Sequence, residues 1–212
     1  MPSSGTRGLR GLYAVTPECP DTARLVAMVR AAVAGGAALI QYRAKDAGAD
    51  LALEQARALA SACRELGVPL VVNDSVDLAL AAGADGVHLG RDDVAADAAR
   101  KAFPRGLIGV SCYGDLDRAR AAAADGADYV AIGSVFASPT KPHAVPAPLE
   151  LLGSARKAAG LPVVAIGGIT QANGALAVAA GADMLAVISA VFGAADVRAA
   201  ARAFAQLFDD NA

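Results

Sequence analysis

Gln41, Arg43 and Lys45 alternate through the end of an apolar run, Gln41-Tyr-Arg-Ala-Lys45. Alternate side chains of an extended strand share a face, so an amide and two cations project together if the strand persists through Lys45. Arg grips paired oxygens with a planar fork and Lys acts as a point charge, a combination suited to a polyanion. Asp74 closes a second run, Val71-Val72-Asn73-Asp74, and a third, His88-Leu-Gly90, leads into Arg91-Asp92-Asp93. If these runs end as neighbouring strands, Asp74 and one of Asp92 or Asp93 can reach one hard cation. Mg²⁺ takes few protein carboxylates and completes its shell with water and phosphate oxygens, so this grouping describes a metal–phosphate site. The ordinary alternatives are a solvated charged loop for the cations and helix N-capping for the aspartates, a role that Asp92 fits well.

Ser111 ends a further run, Gly109-Val-Ser-Cys112, where its hydroxyl can donate to a phosphate or a ring nitrogen. No His–acid pair beside it makes it a hydrolase nucleophile. Lys141 lies in Ser138-Pro-Thr-Lys-Pro-His143, part of the Pro-rich stretch Ser138–Pro148, and can close over an anion. His88, inside a strand, reads as a core or supporting histidine, and His143 as a loop residue. Val163–Ile169 and Met184–Ala190 are apolar runs that end in small residues, each ahead of a helical segment. Glycine at such an end lets a phosphate approach the backbone, and the N–H groups opening the next helix bind its charge. Two consecutive units of this kind look like strands 7 and 8 of a (β/α)₈ barrel.

These groups need a common scaffold, and a recurring phrase supplies one: Gly36-Ala-Ala-Leu-Ile, Gly83-Ala-Asp-Gly-Val-His, Gly126-Ala-Asp-Tyr-Val-Ala and Gly181-Ala-Asp-Met-Leu-Ala. Each follows an alanine-rich helical stretch and precedes an apolar run, as in stacked βα units. Strands are predicted at Leu12–Thr16, Ala38–Arg43, Pro69–Asp74, Gly86–Gly90, Leu107–Cys112, Tyr129–Phe136, Val163–Ile169 and Met184–Ala190. Helices are predicted between them, among them Asp50–Leu66, Asp115–Ala124 and Gln171–Ala180, with a last one over Ala194–Phe208. The fold class is α/β, a single (β/α)₈ TIM barrel, with a doubly wound open sheet as runner-up. The domain reading is a flexible N-terminal tail over residues 1–8 and one catalytic domain over residues 9–212.

The chain has 212 residues and a net charge of −2, so it offers no global attraction to nucleic acid or to an anionic membrane. Any phosphate binding must be local. No apolar run reaches the roughly 18 residues of a membrane span, and Met1-Pro-Ser-Ser-Gly-Thr-Arg-Gly8 lacks the apolar stretch of a signal peptide. Cys19, Cys63 and Cys112 form no Cys-x-x-Cys spacing, which favours a reducing, cytoplasmic setting over a disulfide framework. Oligomeric state is left open, and a homo-oligomer is compatible with the chain.

Taken in order, Gln41-Tyr-Arg-Ala-Lys45, Val72-Asn-Asp74, His88-Leu-Gly-Arg-Asp-Asp93, Gly109-Val-Ser111, Pro139-Thr-Lys141, Ile166-Gly-Gly-Ile169 and Val187-Ile-Ser189 resemble the thiamine phosphate synthase (thiamine-phosphate pyrophosphorylase) family over nearly the whole chain. The resemblance implies a transferase that joins hydroxymethylpyrimidine pyrophosphate to a thiazole phosphate, releasing pyrophosphate. It implies that Gln41, Arg43, Lys45, Asn73 and Lys141 meet the pyrimidine pyrophosphate, with Ser111 beside the pyrimidine. Asp74 and Asp93 become Mg²⁺ ligands. Thr140, Gly168, Ile188 and Ser189 hold the thiazole phosphate. Arg91, Ser75 and Ala137 depart from the family pattern, where Gln, Asp and Pro are common. None removes a ligand, but Arg91 can pair with Asp93.

Three rivals are distinguishable. A thiazole tautomerase of the same fold does not need the Asp74 and Asp93 carboxylates. A phosphosugar isomerase or epimerase needs an acid–base pair at strand ends; no glutamate lies at any predicted strand end, which leaves Asp74 and Asp93 to serve as that pair. A non-catalytic barrel binds thiazole phosphate without magnesium-dependent turnover.

Overall fold

Strands that are apolar on both faces need cover on both faces, which a barrel interior and an outer ring of helices provide. The computed structural model describes residues 8–137 and 147–209. Its elements alternate as β1 (Gly11–Val15), α1 (Thr22–Ala34), β2 (Ala37–Tyr42), α2 (Ala49–Leu66), β3 (Leu70–Asn73), α3 (Val76–Ala82), β4 (Gly86–Leu89), α4 (Ala96–Ala102) and β5 (Leu107–Tyr113). They continue as α5 (Leu116–Ala124), β6 (Tyr129–Ile132), α6 (Glu150–Ala159), β7 (Val163–Ile166), α7 (Gly174–Ala179), β8 (Met184–Val187), α8 (Ser189–Phe192) and α9 (Val197–Gln206). All neighbouring strands pair in parallel, and β8 returns to β1 through Leu12↔Leu185 and Tyr13↔Ala186. The β1–β8 ladder makes this a closed (β/α)₈ barrel and excludes the open sheet.

Strand parity divides the core in two. Tyr13, Leu39, Val71, Tyr129, Val164 and Met184 fill the barrel interior. Leu12, Ile40, Val72, Val87, Leu59 and Leu152 belong to the larger core between strands and helices. Helix α2 shows how the outer ring forms: Ala52, Gln55, Ala56, Leu59 and Cys63 recur at helical spacing and are buried. Asp21, Ser75, Asp115 and Asp196 cap α1, α3, α5 and α9 by accepting backbone N–H bonds.

The Gly-Ala-Asp phrase acquires a function at the N-terminal end of the barrel. Its glycine turns left-handed, with φ of 66° at Gly83, 89° at Gly126 and 106° at Gly181. Its aspartate then reaches back to the preceding strand. Asp85, Asp128 and Asp183 accept from the backbone N–H of Leu70, Ile108 and Val163 at 2.8, 2.8 and 2.9 Å. Their own N–H groups donate to the carbonyls of the same three residues at 2.8, 2.7 and 2.8 Å. Arginines of the even-numbered helices add to these clamps: Arg64 donates to Gly83 O, Arg100 to Gly126 O and Asp128, and Arg156 pairs with Asp183. In the first copy of the phrase Ala38 stands where the aspartate would be.

Several boundaries differ from the predicted ones. β6, β7 and β8 end at Ile132, Ile166 and Val187 rather than at Phe136, Ile169 and Ala190. Gly167 and Gly168 take φ of 99° and 64°, which no strand continues through, and Ser189 and Ala190 belong to α8. The helix predicted over Gln171–Ala180 begins only at Gly174, after a turn in which Asn173 Oδ1 accepts from Thr170 N–H. The last helix is likewise shorter than Ala194–Phe208, because Asp196 caps it.

Candidate active site

The cationic rim is built by β2. Gln41 is buried on the interior side, and the strand ends at Tyr42, which leaves Arg43 and Lys45 at the mouth. Buried Thr16 anchors the exit, its Oγ1 accepting from Arg43 N–H at 2.9 Å. Glu18 joins both cations: its Oε1 accepts from Lys45 N–H at 2.8 Å and stands 3.6 Å from Arg43 Nη1. The sequence left this glutamate out, because it enters the mouth through the loop after β1 and not at a strand end. Lys45 Nζ lies 3.6 Å from Asp74 Oδ2, tying the rim to the next strand.

Asp74 follows β3 in a left-handed conformation, φ 65°, uncommon for a residue with a side chain. Its carboxyl comes within hydrogen-bonding reach of Asp93, and both face Gly90. A methyl group placed on Gly90 would stand 3.0 Å from Asp93 Oδ2 and 4.0 Å from Asp74 Oδ1. Asp93 is itself held by Gly90 N–H, which donates to Oδ2 at 2.6 Å. Burial raises the Asp74 pKa from its ordinary value, Asp93 adds to the rise, and Lys45 opposes it. Two converging oxygen donors that repel each other fit a hard cation. Among the described residues no group of three or more His, Cys, Asp or Glu is placed to hold a metal ion.

The capping alternatives do not hold. Ser75, not Asp74, caps α3 by accepting from Leu78 N–H at 3.1 Å, and α4 is preceded by Ala95, three residues beyond Asp92. Arg91 places its guanidinium carbon 4.6 Å from the centroid of the Tyr113 ring, and no ion pair joins it to Asp93 among the described residues. Asn73 stands at the end of β3, in register with His88 of β4.

Ser111 lies in β5 and is connected to Gln41 through the barrel. Gln41 Nε2 donates to Tyr13 Oη at 2.6 Å, and Tyr13 Oη meets Tyr129 Oη at 2.8 Å. Tyr129 Oη lies 3.1 Å from His88 Nδ1, and His88 Nε2 lies 2.9 Å from Ser111 Oγ. His88 is thus the supporting histidine expected. Tyr13 and Tyr129 were not singled out in the sequence, where a tyrosine in an apolar run reads as core. The only signal was a hydroxyl-bearing ring in each of two runs that are otherwise aliphatic.

Across the mouth, Gly167 and Gly168 form a turn with no room for side chains. A methyl group on Gly168 would stand 2.3 Å from Ala137 O, and one on Gly167 would stand 2.1 Å from Ser134 Oγ. Phe136 N–H donates to Gly167 O at 3.1 Å, and Asn173 Nδ2 to Gly168 O at 3.0 Å. Ile188 precedes α8 and Ser189 opens it, so the N–H groups at this point lack intrahelical acceptors. The structure therefore brings Arg43, Lys45, Asp74 and Asp93 together at the ends of β2–β4, while Gly168, Ile188 and Ser189 follow the neighbouring strands β7 and β8. Thr140, Lys141 and His143 lie outside the described residues.

The chain is similar to known proteins over nearly its whole length. A family model described as thiamine monophosphate synthase matches residues 12–191. A thiamine-phosphate synthase of Aromatoleum aromaticum is 56% identical over 202 residues, covering 95% of this chain and 97% of its own. One of Bordetella avium is 57% identical over 204 residues, covering 93% of this chain and 94% of its own. The solved structure of thiamine phosphate pyrophosphorylase from Pyrococcus furiosus is similar with a TM-score of 0.84 at 39% identity, over 96% of this chain and 98% of that one.

Proposed function

Because the chain belongs to the thiamine monophosphate synthase family, we propose that its mouth joins hydroxymethylpyrimidine pyrophosphate to thiazole phosphate with Mg²⁺ held at Asp74 and Asp93. Thiamine phosphate synthesis is the activity of the family, and the chain is a transferase of thiamine biosynthesis. The observation that supports the finer reading is the division of the mouth into two halves. Arg43, Lys45 and the facing aspartates occupy β2–β4, and the Gly167–Gly168 turn lies beside the start of α8.

In this reading the pyrophosphate displaces Glu18 from Arg43 and takes the charge of Arg43 and Lys45. Lys141 adds a third cation from the 138–148 segment, and Asn73 donates from the end of β3. Mg²⁺ supplies neutralisation of the charge that develops on the departing oxygens. Gln41 and Ser111 hold the pyrimidine ring while its CH₂–O bond ionises to a resonance-stabilised cation. The thiazole nitrogen then attacks the CH₂ carbon, so no protein nucleophile is required. Gly168, Ile188, Ser189 and Thr140 fix the thiazole phosphate and so aim that nitrogen, lowering the entropic part of the barrier. Three free cysteines support a reducing, cytoplasmic setting, and among the described residues no helix is long and apolar enough to cross a membrane.

The test is direct. The protein is mixed with both substrates, with Mg²⁺ or with excess chelator, and thiamine phosphate and pyrophosphate are followed. Equal amounts of both products, formed only with the metal, are expected. Full turnover in chelator would overturn the metal assignment.

A further inference from the structure

Gln41, Tyr13, Tyr129, His88 and Ser111 cross the barrel in one hydrogen-bonded line, and the reaction described above uses only its two ends. The interior members are shut away from water: Gln41 is 4% exposed, Tyr13 1%, Tyr129 0% and His88 5%. Both His88 ring nitrogens meet hydroxyls and neither meets a carboxylate, and the two phenols meet only neutral groups, so these buried groups are neutral. A neutral imidazole has one N–H and one lone pair in its ring plane, and each phenol has one hydrogen. Each link therefore holds one hydrogen, and all of them must point the same way.

The sense is set at one end. Gln41 gives its NH₂ group to Tyr13, so Tyr13 gives its hydrogen to Tyr129 and Tyr129 gives its own to His88 Nδ1. The imidazole hydrogen is then on Nε2 and goes to Ser111 Oγ. What remains for the mouth is the free edge of the Gln41 amide, its Oε1 beside the second Nε2 hydrogen, and a donor at Ser111, its hydroxyl hydrogen. Reversing either end means reversing all five groups, including the amide.

We propose that Tyr13, Tyr129 and His88 are positioning residues that act as one directional line, fixing the orientation of the Gln41 amide and fixing Ser111 as a donor toward an aminopyrimidine. The proposal rests on the reading that Gln41 and Ser111 face the pyrimidine. A 4-aminopyrimidine offers an NH₂ donor and ring-nitrogen acceptors. Its 4-oxo counterpart offers the opposite pair, a carbonyl acceptor and a ring N–H donor. The line therefore selects the amino over the oxo ring, because the Ser111 hydrogen meets a ring-nitrogen acceptor in the amino ring and would face a ring N–H in the oxo ring. A separate feature of the fold keeps the line intact. Gly109 lies between His88 and Tyr129 in register, and a methyl group there would stand 2.0 Å from Tyr129 Cζ.

The experiment combines a spectroscopic and a kinetic reading. The chain has two histidines, so ¹⁵N-histidine NMR of the whole protein, assigned with His88→Asn, reports the His88 tautomer. The Nε2–H form is expected, and the Nδ1–H form would overturn the stated direction. Tyr129→Phe keeps the ring and breaks the line. It is expected to mix the His88 tautomers and to raise KM for the pyrimidine pyrophosphate about tenfold, with KM for thiazole phosphate unchanged. The preference for the 4-amino over the 4-oxo substrate should narrow by a similar factor. Tyr13→Phe provides the same reading if Tyr129→Phe does not fold. A folded variant with both KM values and the amino preference intact would overturn the coupling. A wild-type protein that forms no thiamine phosphate would instead overturn the functional reading, and with it the substrate half of this proposal. The tautomer would then report on the line alone.

Discussion

At Asp74 the demands of folding and of binding oppose each other. Its carboxyl is partly buried against Asp93, which raises its pKa, so the charged form is less favourable in the folded protein than in the unfolded chain. That penalty is absent at low pH and grows as pH rises through the carboxylate range. Asp74→Asn should therefore raise the thermal midpoint at pH 7 by about 1–3 °C in metal-free buffer, an advantage that fades below about pH 4. The same variant should lower turnover about a hundredfold, the scale expected when one charge-stabilising contact is lost. Calorimetry at two pH values and steady-state kinetics check the two halves. His88 has the opposite linkage. Its folded pKa of about 4 lies below the ordinary histidine value, so the unfolded chain takes up the proton first. The stability it contributes is complete above about pH 6.5 and is lost as pH falls toward 4. Urea midpoints at pH 7 and pH 5 should differ more for the wild type than for His88→Asn. The sequence exposed Asp74 and Lys45 because charge at a strand end stands out by type. Glu18, Tyr13 and Tyr129 did not stand out, since one depends on the path of a loop and the others on hydroxyls that meet only after six strands have closed.

Among the elements, β5 carries a tight packing demand next to the hydrogen-bonded line. It runs between β4 and β6 with Gly109 beside both His88 and Tyr129, and the Tyr129 ring fills the space that a side chain would take. Gly109→Ala should destabilise the protein by about 1–3 kcal/mol through overpacking, measured by chemical denaturation, and should raise KM for the pyrimidine substrate. The eight strands and their order were legible because buried parallel strands read as apolar runs at regular intervals. Their ends were less so. The runs of β7 and β8 continue in composition past Ile166 and Val187, but the left-handed turn at Gly167 and the helix at Ser189 end the strands. Apolar content records burial, and the Gly167–Gly168 turn and the Ala190–Phe192 part of the helix remain buried or half-buried. Hence the phosphate-site residues were found while the geometry that presents them was drawn as strand.

In the molecule as a whole, the two ends of the barrel divide the work. The mouth gathers charge that repels itself, and the opposite end gathers the Asp85, Asp128 and Asp183 clamps. Asp183→Ala would leave the buried Val163 N–H without its carboxylate and Arg156 without its partner. A loss of about 2–3 kcal/mol in urea unfolding is expected, with kcat and both KM values unchanged in native buffer. The repeat was plain in the sequence, yet its aspartates could have been read as ordinary turn residues, because the strand they reach back to lies about 15 residues earlier in Asp85 and Leu70. One contact closes the molecule at this same end. Arg10 Nη2 donates to Phe208 O at 3.0 Å, and its guanidinium carbon lies 5.5 Å from the centroid of the Phe208 ring. The first strand and the last helix are thereby fastened together like the clasp of a necklace, on the side away from the chemistry. A necklace has no preferred first bead. Joined at Arg10 and Phe208 and reopened elsewhere on the clamped end, the same string of units would encircle the same mouth.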